Sequence, residues 1–424
     1  MKALILAAGR GERLIPITDT LPKPMIPIAG KPLLHHLIDT LRENGITDII
    51  IVIGYMADRI RDYFDDGSNF GVNIQYIPQL QPSGVGDAIL LAKPYLSDPF
   101  LLCYSDVVLH PELIHRMLDI YSTQKVEAAV AVTLVEHPKF YGVAELDEEF
   151  HITKFIEKPA ETATLSHYAT AGCYIFTENF TKILEKEKKM ELALQKLITQ
   201  NPNIQGVLWE REWAEITWPW DLIVANRLLL DQMTERDRSI TISVNANVSE
   251  HATIEGPVWI SDNAVIRAGA QLTGPVFIGE NSYIGNNSLI RDHATIDSNV
   301  KIGFGVEVKN SLIFSGSFID RLSYIGDSLI GEKVHIGSGT QTWTLYPTGE
   351  PIIFNYNERE IKVPLEKFGA IVGPYCKIGI NASIHPGKVI GTGSIINAGA
   401  IIDKNVERNT IVSVTQHLTF EKKK

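Results

Sequence analysis

A chain of 424 residues is longer than one ordinary domain, and two or three units are expected. Hydrophobic residues make up 45% and charged residues 21%, which excludes a disordered chain; a formal net charge of −11 excludes a general nucleic-acid binder, which would carry a basic face. No apolar run is long enough to span a membrane. The chain opens directly on a strand-like run without a basic leader, so the cytoplasm is the expected compartment. Cys103, Cys173 and Cys376 are too far apart for a disulfide framework or a zinc cluster and read as buried small hydrophobes.

In chain order, Ala3–Ala7 reads as a first strand, followed by the glycine-rich Gly9-Arg10-Gly11. Helical periodicity runs over Pro32–Glu43, and Asp48–Ile53 is a buried strand of β-branched residues. Phe100–Tyr104 is a further strand that ends at Ser105-Asp106, and Ala128–Val135 and Tyr174–Phe176 add others. Strands alternating with helices predict an α/β unit over residues 1–235, with a mostly parallel sheet covered on both faces. Ligands of such sheets sit beyond the carboxyl ends of the strands, where the glycine loop and Asp106 both fall.

A helical segment, Asp221–Gln232, closes that unit, and 236–250 reads as a linker. From Ile254 an aliphatic residue recurs every sixth position through Ile260, Ile266, Leu272, Ile278, Ile284, Ile290, Ile296, Ile302 and Val308. The beat slips around 309–325, is interrupted by an insertion at about 338–370, and returns at Val372, Ile378, Ile384, Ile390, Ile396 and Ile402. A period of six is not a helical stripe. It predicts a parallel β-helix over 251–418, with one aliphatic side chain inward per short strand and Gly or Asn at the corners.

The chemistry-bearing stretch begins with Leu6-Ala7-Ala8-Gly9-Arg10-Gly11-Glu12-Arg13-Leu14 and continues through Pro16 and Thr18 to Pro22-Lys23-Pro24. Glycines after a strand let backbone N–H groups approach phosphate oxygens, and Arg13 and Lys23 can supply charge-assisted bonds to them. The Gly-Lys-Ser/Thr ending of a Walker loop is missing.

Written as LAAGxGxRLxPxTxxxPKP, this string resembles the signature of the sugar-1-phosphate nucleotidylyltransferases, which join an NTP to a sugar-1-phosphate with release of pyrophosphate. Glu12 is a departure, since the family usually carries Thr there. The resemblance implies a Rossmann-like fold, Mg²⁺ as cofactor, Ala7, Ala8, Gly9 and Gly11 at the nucleotide, and Arg13, Lys23 and Asp106 as catalytic residues. Gln79, or its rival Gln81, resembles the glutamine that reads a pyrimidine edge, with Gly84 under the base. Ser105-Asp106 stands where the family has Gly-Asp, and Asp106 resembles a ligand of the catalytic metal. Tyr141-Gly142 and Glu157-Lys158-Pro159 match the sugar-binding loop, and Ala171-Gly172 a further sugar turn, with Thr170 in place of the usual Asn. Trp213-Ala214-Glu215 resembles Trp-x-Asp, which makes Glu215 the second metal ligand.

The resemblance continues into the repeat, where Ser323-Tyr324-Ile325-Gly326, Gly337-Ser338-Gly339-Thr340 and Lys367-Phe368-Gly369 look like archaeal bifunctional enzymes. In those, a left-handed β-helix acetylates glucosamine-1-phosphate from acetyl-CoA. The base there is a His, and this chain has Arg321, which cannot accept a proton; His335 and His385 lie nearby in sequence. The expectation is nucleotidyl transfer from UTP, else dTTP, to glucose-1-phosphate or N-acetylglucosamine-1-phosphate, with acetyl transfer absent or weak. A bifunctional enzyme and an inactive scaffold are the alternatives. The implied assembly is a homo-oligomer, a trimer or a multiple of it, with no nucleic-acid or membrane partner.

Overall fold

The computed structural model describes residues 1–81, 83–160 and 166–422. Two compact units emerge: Met1–Gly11, Leu21–Ile26 and Lys31–Thr217 form the first, and Glu12–Thr20, Pro27–Gly30 and the chain from Trp218 onward form the second.

The first unit is built on a nine-stranded sheet. Lys2–Ala7 lies between Asp48–Ile53 and Phe100–Tyr104, parallel to both, and Asn73–Pro78 extends the parallel half beyond Asp48–Ile53. These strands read as apolar runs because both of their faces are covered: Leu4, Ile5, Ile51, Val52, Leu101 and Leu102 are fully buried. The other half turns antiparallel around Tyr168–Phe176, which pairs with Phe100–Tyr104, Ala128–Leu134 and Gly142–Leu146. A short connection from Gly142–Leu146 to Ile152–Glu157 closes a hairpin, which only an antiparallel pair allows. All three cysteines are free and buried, and the Sγ atoms of Cys103 and Cys173 lie 3.6 Å apart on paired strands.

On the helix Leu33–Glu43, His35 sits among the rings of Tyr63, Phe64 and Phe70, with centroids 5.9, 6.0 and 4.9 Å away. Burial pushes its pKa down to about 4; Asp39 opposes the shift, and Lys31 and Arg42 add to it. Because the folded pKa lies below the unfolded value near 6.5, the unfolded chain binds the extra proton between these limits. Stability conferred by neutral His35 is therefore present above pH 6.5 and lost as pH falls towards 4. Allowing for its partial exposure, urea unfolding of the first unit should weaken by about 1 kcal/mol between pH 7 and pH 5. His35→Phe should remove that slope; an unchanged slope would assign it to other groups.

The second unit is a prism with three parallel sheets of eight, nine and eight short strands. Strand partners stand eighteen residues apart, as in Ile266 on Ile284 on Ile302, and each of these side chains is fully buried in one aliphatic stack. The slip in the beat is two shortened coils: Val308 pairs with Ile325, and Leu312 with Leu329, seventeen residues on. The insertion folds as an antiparallel hairpin, Ile353–Tyr356 with Arg359–Lys362, before Ile371–Val372 resumes the stack on Leu329–Ile330. Corners require glycine where coils touch: a Cβ on Gly303 would lie 2.8 Å from the backbone nitrogen of Arg321 in the next coil.

The stretch expected as a linker already carries the first coil. Ile240–Ile242 pairs with Val258–Ile260, and Asn247–Val248 with Val265–Ile266. A terminal coil stacks on one side only, so Ile240 and Ile242 are each 42% exposed and its aliphatic beat is faint in the sequence. The helix Pro219–Arg236 belongs to this unit as well. It buries Leu222, Ile223, Ala225, Leu228, Leu229 and Leu230, more than one stripe of its surface.

Candidate active site

In the first unit, strand ends bring the expected residues to one edge of the sheet. Lys2–Ala7 delivers buried Ala7 and half-buried Ala8 to the loop, where Gly9 is exposed and Gly11 adopts φ +67°. The Ala8 carbonyl accepts from the Tyr55 N–H at 3.2 Å, and the Arg10 guanidinium lies 5.6 Å from the centroid of the Tyr55 ring. At the end of the neighbouring strand Phe100–Tyr104, the Ser105 hydroxyl donates to the Leu6 carbonyl at 2.6 Å. Asp106 follows directly, and its carboxylate receives the Lys23 ammonium at 2.5 Å.

The segment that bears Glu215 pairs with the residues next to Asp106. The short strand Ala214–Glu215 pairs antiparallel with Val107–Val108, placing Glu215 opposite Val107, and the Ile216 N–H donates to the Asp106 carbonyl at 2.8 Å. The two carboxylates expected at a metal thus come from segments joined by a backbone ladder. Two phenols complete the floor, half-buried Tyr104 and buried Tyr174. Burial raises the pKa of Tyr104 and of Tyr174, and negative charge adds to it, from Asp106 and Glu157 on Tyr104 and from Glu157 and Glu215 on Tyr174. Both stay neutral hydrogen-bonding groups among three carboxylates. Nothing in the sequence singled them out, because a tyrosine at a strand end reads as ordinary sheet packing.

The residues expected at the sugar lie beside these phenols. Glu157 pairs in register with Gly142, and the Lys158 N–H donates to the Tyr141 carbonyl at 3.0 Å. A Cβ on Gly142 would lie 2.7 Å from the Phe155 ring and 2.9 Å from the Glu157 carboxylate, so only glycine leaves that carboxylate in place. Lys158 adopts φ +45° and pairs loosely with Glu157 at 3.5 Å. Gly172, at φ +72°, sits where the register of Tyr168–Phe176 shifts, packed on Val107 and Tyr104. Trp213 links these parts: its indole N–H donates to the Ala171 carbonyl at 3.2 Å, and its ring meets that of Tyr141 edge-on at 5.6 Å. Thr170, in the family's Asn position, is buried and accepts from the Tyr174 hydroxyl at 3.1 Å.

Gln79 and Gly84 also come together. The Gln79 side-chain amide donates to the Gly84 carbonyl at 3.2 Å, at the mouth of the helix Val85–Ala92. The rival Gln81 is exposed. Arg13 groups with the second unit, its guanidinium 5.0 Å from the centroid of the Trp218 ring. Among the described residues no cluster of three or more His, Cys, Asp or Glu side chains gathers as a metal cage, and no helix is long and apolar enough to cross a membrane.

A phosphate-type glycine loop, a lysine on an aspartate and a second carboxylate at the strand ends of an α/β sheet define a phosphate-handling transferase. The nucleotidyl transferase family model matches residues 2–230, and the chain belongs to that family. A second model, the GMPPB C-terminal domain, matches residues 272–346. The bifunctional protein GlmU of Methanocaldococcus jannaschii is 36% identical, with all of both chains covered. The bifunctional sugar-1-phosphate nucleotidylyltransferase/acetyltransferase of Sulfurisphaera tokodaii is 36% identical over 96% of this chain and 98% of its own. The low-salt glycan biosynthesis nucleotidyltransferase Agl11 of Haloferax volcanii is 33% identical over 85% and 99%. The protein is an enzyme of sugar-1-phosphate nucleotidyl transfer, acting on an NTP and a sugar-1-phosphate, and its family works with a divalent metal ion.

Proposed function

We propose that the enzyme transfers a uridylyl group from UTP, with dTTP second, to glucose-1-phosphate or N-acetylglucosamine-1-phosphate, with Mg²⁺ held by Asp106 and Glu215. The observation that supports this reading is the Lys23–Asp106 ion pair at a strand end, with Glu215 paired through its backbone to the next residue, Val107. Both carboxylates offer hard oxygen donors, which suits Mg²⁺; when bound, the ion neutralises charge on the phosphates. The rest of the work is positioning and charge compensation. Ala7, Ala8, Gly9 and Gly11 present the backbone of the loop to the nucleotide, while Arg13 and Lys23 draw charge from the triphosphate. Lys158 holds the sugar phosphate, and Glu157, Tyr141, Gly142 and Gly172 receive the sugar. A phosphate oxygen of the sugar-1-phosphate bonds to the α-phosphorus as the bond to the β-phosphate oxygen breaks, and pyrophosphate leaves. Gln79 lies within a hydrogen bond of Gly84, so a base packed on Gly84 meets an amide able to read its edge. The expected setting is the cytoplasm and the expected assembly a homotrimer or a multiple of it, with residues 1–235 carrying the transfer.

The test is a matrix of four NTPs against several hexose-1-phosphates with Mg²⁺ and pyrophosphate as readout. UTP with glucose-1-phosphate or N-acetylglucosamine-1-phosphate should lead; a purine nucleotide leading would overturn the reading of Gln79.

Acetyl transfer is not part of this reading. Arg321 offers N–H donors and no acceptor, its side chain is 68% exposed, and it faces Asp320 at 3.8 Å. His335 stacks on Phe318 at 5.0 Å and His385 on Trp343 at 4.6 Å, contacts that explain both rings without chemistry. With acetyl-CoA and glucosamine-1-phosphate, release of free CoA thiol should stay at background; sustained enzyme-dependent release would make the protein bifunctional.

A further inference from the structure

The insertion that interrupts the prism bears on Arg13. The Trp218 ring that carries its guanidinium is itself held on two sides, all within the second unit. Trp220, 3% exposed, stacks parallel to it at 5.4 Å and 16°. From the hairpin Ile353–Lys362, Tyr356 meets it edge-on at 5.4 Å and 84°, and Phe354 at 6.1 Å and 72°. Phe354 also packs on Trp220 at 5.5 Å, and fully buried Phe368 closes the cluster at 6.1 Å. The hairpin is seated by Ile352 and Val363, which are 3% and 2% exposed.

The segment bearing Arg13 is anchored in the same unit. Leu14, Ile17 and Thr18 are buried, and Asp19 accepts from the Thr392 hydroxyl and pairs with Arg408 at 3.1 Å. The backbone near Arg13 is therefore held by the late coils of the prism, and its long side chain by the aromatic cluster. Stacking suits this task because a guanidinium lying on a ring face keeps its N–H donors, which point outward in its own plane. A carboxylate partner would occupy those donors and cancel the charge.

We propose that the hairpin Ile353–Lys362 is a positioning device for nucleotidyl transfer, with Trp218 and Tyr356 as positioning residues that pre-orient Arg13 for the triphosphate. This rests on the assignment of Arg13 to the phosphates made above. The interaction spans residues 13, 218 and 356, which no local motif joins.

The experiment is a double-mutant cycle on the full chain, with kcat and KM for UTP measured at saturating glucose-1-phosphate or the best sugar phosphate of the matrix, and a melting curve for each variant. Trp218→Leu should lower kcat/KM for UTP about tenfold, mainly through KM, and Tyr356→Ala by a smaller factor. Trp218→Phe, which keeps a ring face, should recover most of the loss. In an Arg13→Gln background, Trp218→Leu should add less than about twofold, since its partner is already gone. If Trp218→Leu costs its full factor in that background, or nothing in the parent, the proposal falls while the role of Arg13 stands. Parental kcat/KM in Arg13→Gln alone would instead overturn the assignment of Arg13. Should Trp218→Leu fail to fold, Tyr356→Ala and Trp218→Phe carry the same cycle.

Discussion

Asp106→Asn is expected to lower kcat about 10³-fold with little change in stability, because it removes the full negative charge proposed to hold the metal at the phosphates without changing side-chain volume. Asp106 is held by Lys23 at 2.5 Å, and its side chain is only 28% exposed, so the substituted amide keeps the same place. The Lys23 ammonium would lose its ionic partner, a loss of about 1 kcal/mol or less for a partly exposed pair. Pyrophosphate release with Mg²⁺ reads the effect, and a urea or thermal transition confirms the fold. Glu215→Gln should behave alike, since Glu215 is the other carboxylate on the same backbone ladder. Activity within tenfold of the parent in Asp106→Asn would show that the metal is held elsewhere.

Asn226→Leu should destabilise the second unit by about 3–5 kcal/mol. Asn226 is 1% exposed and is the one polar side chain among the buried residues of its helix. Its Oδ1 accepts from the Ala29 N–H at 3.0 Å and the Thr295 hydroxyl at 2.7 Å, and its Nδ2 donates to the His293 carbonyl at 2.6 Å. Leucine has nearly the same volume, so no cavity opens; the loss is three polar groups left without their partner, two of them on buried residues. The melting midpoint of the second unit should fall by roughly 10 °C. Asn226→Asp, which keeps the acceptor and loses the donation to His293, should fall less. A shift of under about 2 °C for Asn226→Leu would mean that water replaces the side chain.

Much of the proposed site is legible in the sequence because its residues fall in motifs with fixed local geometry. The glycine turn after the first strand and the Ser105-Asp106 step each follow a strand whose end is visible as an apolar run, whereas Tyr141-Gly142 opens a strand and Glu157-Lys158 closes one of mixed polarity. The substitution of Glu215 for the family's aspartate was legible too, since the flanking Trp213 and Pro219 keep their places. The phenols Tyr104 and Tyr174 were not, because their role depends on which carboxylates the folded sheet sets beside them. Nor was the first coil of the prism, whose one-sided stacking leaves a weak aliphatic beat.

The sequence by itself determined the α/β unit, the prism and the order of the chemical groups along the chain. Strand patterning and a period of six are properties of neighbouring residues, and burial of one aliphatic side chain per short strand enforces them at every turn. Tertiary structure alone decided which distant groups touch. Lys23 meets Asp106, Glu215 stands beside Val107, Asn226 joins Ala29 to Thr295, and Arg13 rests on a tryptophan braced by the inserted hairpin. Such contacts follow from the packing of whole elements, and a local pattern contains no term for residues two hundred positions away.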